Sequence, residues 1–383
     1  MNPRVALVRC EDYDPEEVQR AVDQALGLLG GMERFVEQGD RVLVRPNLIA
    51  PRPIEAAATT HPAVVEAVVR AVQETGGRVI IGDCPGGLTG RADLEHSYRV
   101  SGMADVAERT GAELDCNPEP VEVEHPQGHY LKRASIARSV VEANVVIIVP
   151  KLKTHTLTGL TGAVKLCLGA VPGRAKTGYH LRYPKVREFS GALLDLHDLV
   201  GPRLTVMDAV MAMEGDGPTA GDPRPVGAIL ISEDSLSCDV AAAWLVGLNP
   251  LEVSTTQVAV DEGRISPRLE GIELAGESLS TLQVKGFRPA SAASTRLMRT
   301  PLFNWLVDRF GRWVSPHPVV GETCTGCGTC AQNCPAEAIA ILHGRVHIDY
   351  RRCIHCFCCQ ELCPQHAMAV RYPYLTRWWT QLG

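Results

Sequence analysis

No stretch of this sequence approaches eighteen consecutive apolar residues, so it offers no membrane-spanning helix. The opening residues, Met1-Asn2-Pro3-Arg4-Val5, run straight into a strand-like stretch. They contain no apolar core of signal-peptide length, and the expected location is the cytoplasm. Positive charge is not in excess: the net charge of −6 removes the general reason to expect a nucleic-acid partner. There is no Gly-Lys-Ser/Thr and no Gly-x-Gly-x-x-Gly after the first strand, so no nucleotide is expected. Lysine is scarce, with seven against thirty-one arginines. What remains is ordinary globular composition, 45% apolar and 21% charged, which excludes a disordered chain. At 383 residues the chain is long enough for two domains, and 35 glycines with 26 prolines predict many loops.

Cysteine is abundant instead. There are fourteen, and nine lie between Cys324 and Cys363. A secreted disulfide scaffold spreads its cysteines through a short chain, whereas crowding at one end of a long chain points to metal. Cys324, Cys327, Cys330 and Cys334 are spaced by two, two and three residues and followed by Pro335. Cys353, Cys356, Cys359 and Cys363 repeat this before Pro364, each offset by 29 residues. The flanks Ala338–Ile341 and Ala367–Val370 match too, so one metal-binding unit is duplicated. Three thiolates on one tight loop cap three irons of a cubane, and the fourth comes from the other run. Cys324, Cys327, Cys330 and Cys363 are thus expected to hold one 4Fe–4S cluster. Cys334, Cys353, Cys356 and Cys359 are expected to hold the other. Structural zinc also takes four thiolates, but eight at this spacing, each run closed by proline, favour iron. Cys358 breaks the spacing and is expected to have no role. His355 and His366 are expected at the surface, and the scattered Cys10, Cys84, Cys116, Cys167 and Cys238 as small buried hydrophobes. Residues 317–372 resemble the bacterial two-cluster ferredoxins.

The first 288 residues alternate short apolar strands with amphipathic helices. Strands are predicted at 5–8, 42–44, 79–81, 145–149, 204–207 and 228–231. Asp14-Pro15 opens a helix, Pro62–Thr75 forms another, and more are predicted near 102–110, 186–200, 234–247 and 250–262. This pattern predicts an α/β domain with a mostly parallel sheet and helices on both faces, plus a small C-terminal α+β module. Polar segments at Asn47, Asp83, Lys151–His155 and Asp208–Pro218 are expected as loops after strand ends, where open α/β sheets bind ligands. His61, before Pro62, is expected to be structural.

Five of the seven lysines fall between Lys151 and Lys185. Lysine is a compact charge whose pKa shifts on burial, and it can act as a nucleophile. Lys151, Lys153 and Lys165 flank a strand end and the glycine-rich turn Thr158–Lys165, whose backbone amides suit a carboxylate or phosphate. Lys176 and Lys185 read equally as a solvated loop. His155 and Lys165 are candidate catalytic residues, as base and anchor or as metal ligands; a histidine hydrogen-bonded in a loop is the alternative, and His180 reads the same way. Asn47, Asp83, Lys151, Lys153, Asp208 and Glu214 are the candidate substrate-binding residues. Asp208, Glu214 and Asp216 would equally serve as turn caps.

Residues 40–290 resemble the family of unknown function numbered 362, often fused to a two-cluster ferredoxin module. The likeness rests on Arg45-Pro46-Asn47-Leu48, Gly82–Gly87, Pro150–His155, Thr161–Lys165 and Met213–Pro218. It implies an iron–sulfur protein and names no reaction. A shorter stretch resembles the nickel-pincer lactate racemases through His155, Lys165, Pro172-Gly173 and His180. It departs from them where Gly162-Ala163-Val164 replaces a Gly-Gly before the lysine. Residues 289–316 read as linker and amphipathic helix, and 373–383 as an aromatic tail. The leading expectation is a redox enzyme with two 4Fe–4S clusters, a small anionic ligand and a redox partner protein. The alternatives are a dedicated electron carrier whose large domain docks a partner, and a metal- or cofactor-dependent enzyme.

Overall fold

A computed structural model describes residues 2–87, 90–117, 119–290 and 316–371. The expected helix at 302–314, most of the linker and the tail at 373–383 lie outside the described residues.

The strands of the large domain are β1 (Arg4–Arg9), β2 (Arg41–Pro46), β3 (Arg78–Ile81) and β4 (Glu113–Leu114), then the separate hairpin β5 (Pro120–Glu124) and β6 (Arg133–Ala137). They continue as β7 (Val145–Val149), β8 (Lys151–His155), β9 (Gly159–Leu160), β10 (Leu204–Glu214), β11 (Asp222–Ser232) and β12 (Glu273–Gly276). One ten-stranded sheet runs β12-β1-β11-β10-β7-β2-β3-β4, with β8 on β10 and β9 on β8. From β10 through β7, β2 and β3 to β4 all pairs are parallel, whereas β11 is antiparallel to both β1 and β10. The central strands are apolar because both faces are covered: all five residues of β7 are buried. Alternation divides β2, whose Val42 and Val44 meet Val18, Val22, Val64 and Val68 on one face while Leu43 joins Phe189 and Leu193 on the other. The first face carries Pro15–Leu28, capped by Asp14, and Pro62–Glu74, capped by the His61 ring. The second carries Val186–Val200 and Ser235–Leu245.

Two expectations are corrected. Lys151–His155 is a strand rather than a loop, and β10 continues through Asp208 to Glu214 because it pairs with β11 along its length. The helix expected at 250–262 begins as a single turn at Pro250–Glu252 and restarts at Ser254–Asp261.

The C-terminal module shows its duplication directly. Short helices at Thr329–Gln332 and Cys358–Glu361 are 29 residues apart, as are β14 (Ile339–Leu342) and β16 (Met368–Arg371). β13 (His317–Val320) pairs with β16, and β15 (Arg345–Ile348) with β14, both antiparallel.

Candidate functional site

The glycine-rich turn folds as a short helix, Gly162–Leu166. Its free amides are met by a buried carboxylate: Asp239 Oδ1 accepts from Ala163 N at 2.6 Å and Oδ2 from Val164 N at 3.1 Å. Gly162, at φ 60°, is the residue the turn requires, since a Cβ there would run into the Asp239 carboxylate. This anchor sets Lys165 in place. The following turn lays Gly169 against the buried Arg45–Asp83 pair, joined at 2.7 Å. The helix Ala175–Arg182 then brings Lys176, Thr177 and His180 to the same place.

Together these residues line a cavity of about 50 Å³, room for a few waters or a ligand of similar size. Asn47, Ile49 and Asp83 contribute from the ends of β2 and β3, and Leu166 and Leu168 from the turn. Ile49 sits at φ 42°, a strained conformation for a β-branched residue of the kind that clusters at functional sites. The remaining wall belongs to the cysteine module: Cys358, Glu361 and Leu362.

The seam between module and large domain is bonded. Arg52 Nη2 donates to Cys363 O at 2.6 Å and Nη1 to Pro364 O at 3.2 Å, and Nη1 lies 3.0 Å from His366 Nε2. Thr219 Oγ1 donates to Glu361 O at 3.2 Å, and Arg174 donates to Gln332 O. His366 stays exposed at the edge of the seam, as expected of a surface residue.

Glu361 is the only acid that the module contributes to the cavity lining, and its side chain is 13% exposed. Burial alone raises its carboxyl, but Lys165, then His155 and His180, outweigh this and hold it well below the ordinary carboxylate range. His155 stands one layer behind. Its Nδ1 accepts from Leu157 N at 3.0 Å and Thr158 N at 3.3 Å, so the proton of the neutral ring sits on Nε2. That atom is 3.0 Å from Glu361 Oε1, yet neither has an aligned hydrogen-bond partner among the described residues. Asn47 Oδ1 and Arg45 Nη1 are likewise buried without one. Burial, reinforced by Lys165, lowers His155 to about 4. Burial also lowers His180 to about 4, Lys165 adding to it while Glu361 opposes; both rings are neutral at pH 7. Burial lowers Lys176, with Asp83 opposing.

The other predicted residues go elsewhere. Lys151 Nζ donates to Asp208 Oδ2 at 2.8 Å and to Tyr13 OH at 2.6 Å; Tyr13 OH donates to Asp208 Oδ1 at 2.8 Å, and His61 N to Oδ2 at 2.9 Å. Tyr13 also stacks on the His61 ring, with centroids 3.6 Å apart. Lys153, fully buried, donates to Ala58 O. Glu214 is held by Arg288 Nε at 2.9 Å and Arg288 N at 3.0 Å. None of these lines the cavity. Lys185 is exposed beside Glu188. His125, Asp195 and Asp198 come together as a metal site would, but Asp195 is committed to the amides of His129, Tyr130 and Leu131.

None of the fourteen cysteines is joined in a disulfide. Burial raises Cys330 to about 11, with Cys327, Cys363 and Cys324 adding to it. Burial raises Cys353 to about 11, with Cys356 and Cys334 adding. Two groups of four crowded thiols fit the donor set of two 4Fe–4S clusters, whose positive irons relieve that crowding.

Sequence reasoning missed Cys358, Glu361, Asp239 and Arg52. A signal for the first two lies in the duplication. The cavity-facing Cys358, Glu361 and Leu362 stand where the first repeat has Thr329, Gln332 and Asn333. Asp239 is the lone acid in the apolar run Val240–Leu245 and its preceding cysteine.

The comparisons agree with this division. The family described as a domain of unknown function (DUF362) matches residues 42–244, and that described as a 4Fe-4S dicluster domain matches 319–364. The thylakoid-associated protein sll1697 of Synechocystis sp. is 33% identical over 260 residues, 66% of this chain and 77% of that protein. The lactate racemase apoprotein of Thermoanaerobacterium thermosaccharolyticum superposes with a TM-score of 0.41 at 12% identity, over 64% of this chain and 58% of its own. No helix among the described residues is long and apolar enough to cross a membrane. The chain belongs to the DUF362 family and carries a 4Fe-4S dicluster domain on its C-terminal side.

Proposed function

We propose that the protein is an iron–sulfur oxidoreductase whose large domain binds a small carbon-bearing anion beneath the cysteine module. Cys324, Cys327, Cys330 and Cys363 would hold one 4Fe–4S cluster, and Cys334, Cys353, Cys356 and Cys359 the other. The carrying observation is the composite cavity, with cations from the large domain on one side and the Cys358–Leu362 segment on the other. The clusters supply one-electron chemistry at low potential, and a redox partner protein is the source or sink of those electrons.

The lining sets the ligand class. Arg45 pairs with Asp83, and the charges of Lys165 and Glu361 offset each other, so Lys176 supplies the net positive charge for a monoanion. Asn47 and Thr177 offer polar contacts. Ile49, Leu166, Leu168 and Leu362 form an apolar flank that suits a carbon skeleton better than an inorganic oxyanion. Lys165 would contact the anion. His155, the other candidate catalytic residue, would orient the Glu361 carboxylate through the proton on its Nε2.

Two measurements test this. Protein purified without oxygen should contain about eight irons per chain; zinc in place of iron would end the redox reading. A stoichiometric second metal such as nickel would move the assignment to a cofactor site at His155 and Lys165. Reoxidation of the reduced protein should then be followed with a panel of short carboxylates. At least one should reoxidise the native protein and fail with Lys165→Ala at full iron content. Equal behaviour of both proteins, with every carboxylate and with the electron-transfer partner, would favour a dedicated carrier.

A further inference from the structure

The two halves of the cysteine module are related by duplication, yet they meet the large domain differently. Cys334, Cys353, Cys356 and Cys359 converge on a small cavity of about 20 Å³ inside the module. Cys358 lines that cavity and also the cationic cavity under the module. No cysteine of the other group of four lines either one. Cys358, which forms this wall, is only 3% exposed. One turn on, Glu361 places its charge within reach of Cys356 and Cys358 and also lines the cationic cavity.

In the other group Cys330 and Cys363 are buried, and only Cys327 is exposed. Cys327 is the one exposed cysteine of the fourteen. At the position equivalent to Cys358 stands Thr329, whose hydroxyl lies 3.5 Å from the Cys327 sulfur. The first repeat has a polar residue there, and the repeat that lines the cavity has a buried thiol.

We propose that the two cluster sites have fixed and different roles. The site of Cys334, Cys353, Cys356 and Cys359 serves the anion cavity across the wall made by Cys358, and the site of Cys324, Cys327, Cys330 and Cys363 is the outward port for the partner protein. Cys358 is a positioning residue: it ligates no iron and fixes the thickness and polarity of the barrier between cluster and ligand. One-electron transfer weakens steeply with distance, so the site that shares a wall with the ligand is the one that exchanges electrons with it. This assignment rests on the cavity being the ligand site, but its test reads the clusters themselves.

The test is a redox titration, followed by electron paramagnetic resonance, of full-length protein holding both clusters. Cys327→Ser marks the outward cluster by altering its spectrum and potential. Lys165→Met removes a positive charge from the cavity wall without touching the module. The expected result is a downward shift in the midpoint potential of the unmarked cluster, with the marked one unmoved. Glu361→Gln should shift the same cluster upward and serves if Lys165→Met does not fold. Cys358→Ala should keep all of its iron. A shift confined to the marked cluster, equal shifts of both, no shift, or loss of half the iron from Cys358→Ala would overturn the assignment. Failure of the carboxylate panel would leave these potentials unchanged, so the two readings fail separately.

Discussion

Lys151 and Lys165 belong to the same lysine-rich segment and look alike in the sequence, but the fold gives them opposite surroundings. Lys151 ends in a closed network: its ammonium, the Tyr13 hydroxyl and the Asp208 carboxylate satisfy one another, with a further bond from His61 N. Lys165 ends beside a cavity whose lining residues Asn47 and Glu361 each leave a buried oxygen, Oδ1 and Oε1, without an aligned partner among the described residues. Buried charge therefore marks a site only where its polar neighbours are left wanting. Where every neighbour is satisfied, the same chemistry ties elements together. Here it joins the chain after β1, the start of Pro62–Glu74, β8 and β10.

The contrast can be broken most sharply at Asp208, which is fully buried. Asp208→Ala leaves the Lys151 ammonium without its counter-charge and should cost about 3–5 kcal/mol, the usual result of removing one partner of a buried pair. Urea unfolding of the two proteins measures it. Lys165→Ala should cost clearly less, because Lys165 borders the cavity, where water can fill the space its side chain leaves. If Lys165→Ala proves as destabilising as Asp208→Ala, both sites are structural and the comparison fails.

The next effect concerns what holds Lys165 in place. Asp239 caps the Gly162–Leu166 turn through two amides. Asp239→Ala should cost about 1–2 kcal/mol as a lost cap. Its effect on reoxidation by a carboxylate should be proportionally greater, since the turn that carries Lys165 loses its anchor. Asp239→Asn keeps one acceptor and should recover part of both. Unfolding curves and reoxidation rates on the same samples would separate the two effects.

How much of this was legible follows from range. The 4Fe-4S dicluster domain was legible because its signal is local: each tight loop sets three cysteines with two residues between them. The strands could be read because burial on both faces leaves unbroken apolar runs, as in Val145–Val149. Asn47, Asp83 and Lys165 were found at strand ends and beside a glycine turn, both short-range signals. Lys151, Asp208 and Glu214 carried the same local signals, and only pairing across 57 to 74 residues decides that they are internally satisfied. Glu361 meets His155 across a gap in sequence that no spacing rule spans. Its position could be suspected only from the divergence between the two repeats.

A smaller effect should appear on acidification. Burial lowers His61, His155 and His180 to about 4, against an ordinary value near 6.5. Between these values the unfolded chain binds protons that the folded chain refuses, so stability falls as pH drops from about 6.5 towards 4. Asp239 works the other way: burial raises it to about 7, so it contributes stability at low pH that is lost as pH rises from about 4 towards 7. Three groups against one leave a net loss on acidification. His61→Asn keeps a side-chain acceptor for Ala63 N and removes one of the three, so the slope of stability against pH should become shallower. An unchanged slope would mean that His61 is not buried neutral.

The least effect is expected at the other end of the lysine cluster, where it sharpens the comparison from below. Lys176 and Lys185 read identically in the sequence, as basic residues of one loop. Lys176 donates to Cys84 O and lines the cavity, whereas Lys185 is 73% exposed with Glu188 3.5 Å away. Solvent screens such a pair, and removing it should change stability by no more than about 0.5 kcal/mol. Lys185→Ala should therefore leave unfolding, both cluster potentials and carboxylate reoxidation as they are. Lys176→Ala should leave the clusters filled yet weaken the response to carboxylates, because it removes the cation that no acid in the cavity balances. If both substitutions weaken that response equally, a diffuse field of lysines draws the anion in, and the cavity is not its binding site. If only Lys176→Ala does, the position of the charge is what matters.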